Sequence, residues 1–117
     1  MIRRSSECTT IVKQMFGGPG EMEARQILNE GEFADKGRLF NHVTLKPGAA
    51  IGKHRHNNEF EVYYILSGHG TYDDNGTPVE VGPGDVTCCP RGEQHAILNT
   101  GSENLELIAL ILFDRQS

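Results

Sequence analysis

The chain holds 117 residues, room for a single domain. Only 37% are hydrophobic, none is tryptophan and 14 are glycine; the glycines are scattered, which excludes a collagen-like chain, while apolar runs at 62–66 and 105–113 exclude disorder. A formal net charge of −5 gives no electrostatic footprint for nucleic acid, and the longest apolar run, 107–113, is too short for a helix to span a bilayer.

Arg3 and Arg4 are followed by polar residues rather than an apolar stretch, so no secretory signal is read at the start. Cys8, Cys88 and Cys89 are odd in number and two are adjacent, which argues against a disulfide framework and makes a reducing cytoplasm the expected location. Residues 1–37 read as a less regular N-terminal segment of strand, loop and short helix, available for contacts with a second copy. Residues 9–15 lead into the loop Gly17-Gly18-Pro19-Gly20. Residues 21–30 fit a helix or a strand, and their helix-forming side chains favour the helix although no apolar stripe is clear. Residues 29–36 leave room for one helical turn.

From Arg38 to the end, 38–117, the pattern is β. Leu39, Val43 and Leu45 share one face of a strand that Pro47-Gly48 closes. Residues 60–66 form a second strand, rich in β-branched and aromatic side chains. Residues 71–73 and 77–81 flank Asp74-Asn75-Gly76, and Asn-Gly between strands predicts a hairpin. Gly82-Pro83-Gly84-Asp85 turns the chain into residues 86–89, and Pro90 to Gly92 turns it into a strand around 95–99. The last strand, 105–113, alternates little after Glu106, as a strand covered on both faces would. Seven or more short strands predict an all-β antiparallel sandwich or barrel in a single domain.

The histidines carry the chemistry. His54 and His56 stand two apart, so on a strand both imidazoles face the same way. Glu61 shares its face with Tyr63 and Ile65, and a charged carboxylate among them costs several kcal/mol unless paired. His95 follows a Pro-x-Gly turn. Three neutral imidazoles and a carboxylate converging inside a barrel solve that problem by holding a divalent cation, and nitrogen and oxygen donors without thiolate suit manganese, iron, cobalt, nickel or zinc.

The spacing Gly48-x5-His54-x-His56-x4-Glu61-x6-Gly68 resembles the first motif of the cupin superfamily, and Gly84-x5-Pro90-x-Gly92-x2-His95-x3-Asn99 resembles the second. The likeness is to small single-domain metal-binding cupins of the oxalate-decarboxylase-like group. It implies a jelly-roll β-barrel with His54, His56, Glu61 and His95 as ligands of one divalent metal near one mouth, the glycines and Pro90 as turn residues, Asn99 as a structural residue, and a homodimer as the common assembly.

Other residues read more plainly. His69, between two glycines, is expected in solvent, and His42 on the outer face of its strand or at an interface. The same alternation turns Asn41 inward, towards the metal. Tyr63, one step along the strand from Glu61, is a candidate acid, base or hydrogen-bond donor in the pocket, or a packed aromatic. Of Cys88 and Cys89 one must face inward, as inert filler. Asp73 and Asp74 lead into the hairpin, and Glu30, Glu32 and Asp35 read as a solvated face.

The reaction is left open. A tetrahedral ion is saturated by this ligand set, whereas an octahedral one keeps two positions for water, a bidentate ligand or dioxygen. The expectation is a metal-dependent enzyme of dioxygenase, decarboxylase or lyase type acting on an oxygenated small molecule. The alternatives are a non-catalytic ligand- or metal-binding module and a sugar-type isomerase or epimerase. The decarboxylases resembled place an arginine shortly before the first ligand histidine, where this chain has Ile51, Gly52 and Lys53. Lys53 and Arg55 alternate outward, so no pocket cation is expected, and a small neutral or chelating substrate fits better than a free dianion.

Overall fold

Residues 1–115 are described by a computed structural model. They form ten strands: β1 (Thr10–Lys13), β2 (Met22–Gln26), β3 (Gly37–Leu45), β4 (Ala50–Arg55), β5 (Glu59–Ser67), β6 (Gly70–Asp74), β7 (Thr77–Val81), β8 (Val86–Cys89), β9 (Gln94–Asn99) and β10 (Leu105–Phe113). One sheet runs β1-β2-β3-β10-β5-β8 and the other β4-β9-β6-β7, and every strand pair is antiparallel. Two such sheets packed face to face make a jelly roll, and alternation along each strand sends apolar side chains into the space between them. Val43, Leu45, Tyr63, Ile65, Ile97, Leu105 and Leu107 are all buried there. Among the described residues no helix is long and apolar enough to cross a membrane.

Two local expectations are corrected. Residues 22–26 are a strand, not a helix: Met22 and Ala24 are buried while Glu23 and Arg25 are exposed, a period of two. Pairing with β3, Ala24 opposite Val43, overrides the helix-forming side chains. Residues 29–36 make two turns, closed by Glu32 N–H to Asn29 O (3.1 Å) and Lys36 N–H to Phe33 O (2.9 Å). Ala34 and Asp35 sit there at φ of 50° and 59°, left-handed values that no right-handed helix contains. A single 3-10 turn, Ser5–Glu7, precedes β1.

β10 is central to its sheet, between β3 and β5, yet its faces differ. Leu105, Leu107, Ala109 and Ile111 are buried, whereas Ile108, Leu110 and Leu112 are half-buried on the outer face. Within one chain only the inner face is covered, and on neighbouring strands the outer side also exposes Tyr64, Leu66 and Val86, the last at 64%.

Asn99 does what its motif position implies. Its Nδ2 donates to the carbonyls of Leu45 and Glu103, both at 2.8 Å, and its Oδ1 accepts from Gly101 N–H at 2.9 Å. One buried amide thereby ties β3, β9 and the turn before β10 together. Asn99→Ala leaves these partners without it and is expected to cost about 2–3 kcal/mol, read as a lower urea midpoint at unchanged m-value.

Candidate metal centre

Two strands of the smaller sheet and one of the larger bring the four residues together. His54 lies on β4 directly opposite His95 on β9, His56 follows the end of β4, and Glu61 comes from β5 across the barrel. A β-bulge makes the β4 side possible. Ile51 pairs with Ile97 and His54 with His95, so Gly52 and Lys53 together oppose Ala96. The extra residue lets Ile51 and His54, which strict alternation would put on opposite faces, both face inward. Gly52 is required there, because a Cβ would lie 2.3 Å from the Phe16 carbonyl oxygen. The Phe16 loop thus closes on the bulge, and the Phe16 ring stacks on His54 with centroids 4.2 Å apart.

Each imidazole is held by Nδ1. His54 Nδ1 donates to the Gly52 carbonyl at the bulge (2.7 Å), His56 Nδ1 to Glu59 Oε2 (2.5 Å), and His95 Nδ1 pairs with the Tyr72 hydroxyl (2.7 Å). A carbonyl and a carboxylate only accept, so His54 and His56 carry their proton on Nδ1 and present bare Nε2 lone pairs when neutral. Those Nε2 atoms converge. His95 Nε2 is 3.0 Å from His54 Nε2 and from His56 Nε2. Glu61 Oε1 is 3.0 Å from His56 Nε2 and His95 Nε2 and 3.4 Å from His54 Nε2. All four ligand atoms fall within 4.8 Å of one another. Neighbouring ligands about 2.1 Å from a shared ion stand about 3.0 Å apart in an octahedral arrangement and about 3.4 Å in a tetrahedral one, so the donor set fits a divalent cation and most of its spacings match the octahedral edge.

The electrostatics follow from burial and these contacts. Burial pushes the Glu61 carboxyl up, but without an ion any imidazole that takes a second proton at Nε2 donates to Glu61, and these contacts outweigh burial and hold the group well below the usual carboxylate range. Burial lowers His56, and the Glu61 and Glu59 carboxylates more than offset that, leaving it raised. His95, with burial dominant over its contact with Glu61, is lowered. Tyr63 is pushed well above its ordinary value by burial and by the charge of Glu61, so it stays a protonated donor, and its hydroxyl has no hydrogen-bond partner among the described residues. Beside the ligands lies a cavity of about 70 Å³ whose polar lining is His54, His56, Glu61, Tyr63, Asn41 and Arg38, the remainder being apolar.

Asn41 is buried and reaches the cavity wall from β3. His42 lies on the outer sheet face with Nε2 3.0 Å from Glu106 Oε1, and His69 is exposed. Cys88 is exposed and Cys89 buried; burial, with Glu93 and Glu61 nearby, pushes the Cys89 thiol up to about 11, and Cys89 is not part of the converging cluster of His54, His56, Glu61 and His95. Asp73 Oδ1 accepts from Gly76 N–H (2.6 Å) within the hairpin. Glu32 is not simply solvated: it pairs with Arg3 at 2.5 Å.

Three residues of the site escape the sequence reading. Glu59 is buried on the same face of β5 as Glu61, and the alternation that found Tyr63 also points to it. Tyr72 is buried on β6, with nothing in the sequence linking it to His95. The expectation of no pocket cation is corrected by Arg38. Lys53 and Arg55 do point outward, to Asp73 and to the Gly92 carbonyl respectively, but Arg38 lines the cavity and donates from Nε and Nη2 to both oxygens of Glu59 (2.6 and 2.7 Å). Alternation misplaces it because β3 bulges there.

Comparison with known proteins agrees with this fold. The family model described as "Cupin domain" matches residues 41–111. An "Oxalate-binding protein" of Thermotoga maritima is 44% identical over 113 residues, covering 96% of this chain and 93% of that protein. A crystal structure described as a predicted oxalate decarboxylase from Thermotoga maritima superposes with a TM-score of 0.91 at 44% identity, over 97% of this chain and 99% of that one. The polyketide cyclase RemF from Streptomyces resistomycificus shares the fold, with a TM-score of 0.75 at 22% identity over 98% of this chain and 81% of that one.

The Nδ1 contacts generate a direct test. Glu59→Gln keeps the size of the side chain but removes the charge that His56 leans on, and affinity for zinc, read by competition with a chromophoric chelator, is expected to fall about 10- to 100-fold. Unchanged affinity would show that the Glu59 contact does not tune the imidazole.

Proposed function

Because the chain belongs to the cupin family, we propose that it binds one divalent transition-metal ion through His54, His56, Glu61 and His95 and uses that ion to hold a small two-oxygen ligand of the oxalate class. The observation that carries this reading is the convergence of three Nε2 atoms and Glu61 Oε1 within 4.8 Å while Nδ1 of each imidazole is engaged elsewhere. Spacings near the octahedral edge favour an ion that keeps positions for ligand, among which manganese, iron, cobalt, nickel and zinc all accept such donors. The name of the Thermotoga maritima relative, oxalate-binding protein, supports the ligand class.

A bound ion of this kind supplies Lewis acidity towards the oxygens of its ligand. The chain's own residues do the rest. Tyr63, buried and protonated, offers its unpartnered hydroxyl as a hydrogen-bond donor, Asn41 adds a polar group on the facing wall, and the apolar lining excludes water. Decarboxylase, dioxygenase or lyase turnover is the catalytic form of this reading, and a binding module without turnover is its other form. A sugar isomerase finds less support: Tyr63 is a poor base, Glu59 is tied to Arg38 and His56, and about 70 Å³ is room for only a few water-sized groups.

The test strips the protein of metal, reloads it with each of the five ions, and measures metal content and oxalate binding by calorimetry. One ion per chain, oxalate binding only to the loaded protein, and loss of both in His95→Ala are expected. Oxalate binding unaffected by chelation would contradict the proposal. Release of carbon dioxide or formate from oxalate by the loaded protein separates enzyme from binding module.

We also propose a homodimer that covers the outer face of β3, β10, β5 and β8, supported by the exposure of Tyr64, Leu66 and Val86 on that side. Light scattering is expected to give twice the chain mass, and the double variant Tyr64→Glu, Val86→Glu the chain mass alone; a monomeric wild type would contradict this.

A further inference from the structure

Arg38 is the one charged side chain of the cavity that is neither a candidate ligand nor bonded to one. Its position is built by the backbone. Leu39 pairs with Ile111 and Gly37 with Leu112, so Arg38 is an extra residue with no partner on β10. Without that bulge it would follow Phe40, His42 and Thr44 to the outer face of the sheet. Gly37 lets the strands close up here, since a Cβ would lie 2.6 Å from the Ile111 carbonyl oxygen. The bulge re-aims the side chain towards the mouth of the barrel.

There Glu59 grips one edge of the guanidinium through Nε and Nη2. Two of its five N–H groups are spent on that carboxylate, Nη1 makes no hydrogen bond among the described residues, and the side chain remains half exposed. Arg38 lines both the small cavity beside the ligands and a wider groove of about 640 Å³ outside it. It therefore stands where the two meet, with a fixed orientation and a free donor edge. A planar fork held on one side by a buried carboxylate is preorganised to take a second carboxylate on the other.

We propose that Arg38 is the carboxylate-binding residue of this cavity. Its free edge receives a carboxylate oxygen of a small acid whose other oxygens face the ion site, which selects two-carbon dicarboxylates and α-oxo acids over chelators that lack that oxygen. The assignment rests on the chelate reading given under Proposed function. It goes beyond that reading by naming the residue and the chemical feature that decide between ligands of equal chelating power. The few water-sized groups of room in the cavity keep the acid short, since a longer one would have to run past Arg38 into the groove.

The test compares two chelators by calorimetry on protein loaded with manganese, an ion that keeps open positions beyond four ligands, with manganese content measured in every sample. Oxalate presents a further pair of carboxylate oxygens beyond the ion, whereas acetohydroxamic acid chelates through two oxygens and presents a methyl group. Arg38→Met removes the guanidinium and Arg38→Lys keeps the charge without the fork. In Arg38→Met, oxalate is expected to bind about 10- to 100-fold more weakly, with acetohydroxamic acid changed by less than about threefold, and Arg38→Lys should fall between. Equal weakening of both ligands, or no weakening of oxalate, would overturn the assignment and leave Arg38 acting only through Glu59 and His56. A loaded wild type that binds acetohydroxamic acid but not oxalate would overturn the Arg38 role alone. A loaded wild type that binds neither would overturn the chelate reading and this assignment together.

Discussion

A carboxylate and three imidazoles share a point in the interior where water is nearly excluded. Glu61, His56 and His95 are each 5% exposed or less, and their ligand atoms crowd to 3.0 Å. Bare lone pairs at that distance repel, and an isolated buried carboxylate is costly; a cation among them turns both penalties into attraction. The constraint reaches through the barrel. Glu61 comes from one sheet and His54 and His95 from the other, so the spacing between sheets sets how closely the four donor atoms converge. The packed core of Leu45, Ile65, Ile97 and Leu107 maintains that spacing.

Orientation is delegated to a second ring of contacts. The Gly52 carbonyl, the Glu59 carboxylate and the Tyr72 hydroxyl each take one Nδ1, and Glu59 is steadied in turn by Arg38. Backbone irregularities supply two of these pieces. The bulge in β4 frees the Gly52 carbonyl for His54, and the bulge in β3 brings Arg38 to Glu59. Regular alternation would aim neither, and in both cases a glycine at or beside the bulge lets a neighbouring backbone pack closely against it.

This division explains which features were legible in the sequence. His54, His56, Glu61 and His95 could be read because their spacing reports strand alternation and two turns, and Asn99 because its motif position demands a polar pin. The barrel strands were legible for the same reason, since turn residues such as Asn75-Gly76 and Pro83-Gly84 sit between β-rich runs. Arg38 was hidden because a bulge is a relation between two strands far apart in sequence, and alternation counted along one strand gives the wrong face. Tyr72 reaches His95 only through the pairing of β6 with β9. Residues 21–30 fit a helix or a strand and favour the helix because propensities are local, whereas the pairing with β3 that makes 22–26 a strand is not.

The central claim is that the four converging atoms are a metal centre whose imidazoles bind through Nε2. Anomalous diffraction at the absorption edge of a loaded ion, from crystals of the wild-type protein, tests it most directly. The account predicts one peak per chain about 2.0–2.2 Å from Nε2 of His54, His56 and His95 and from a Glu61 carboxylate oxygen, with the Nδ1 contacts to Gly52, Glu59 and Tyr72 intact. A peak coordinated through Nδ1, or an ion held at other residues with this cluster left empty, would contradict it.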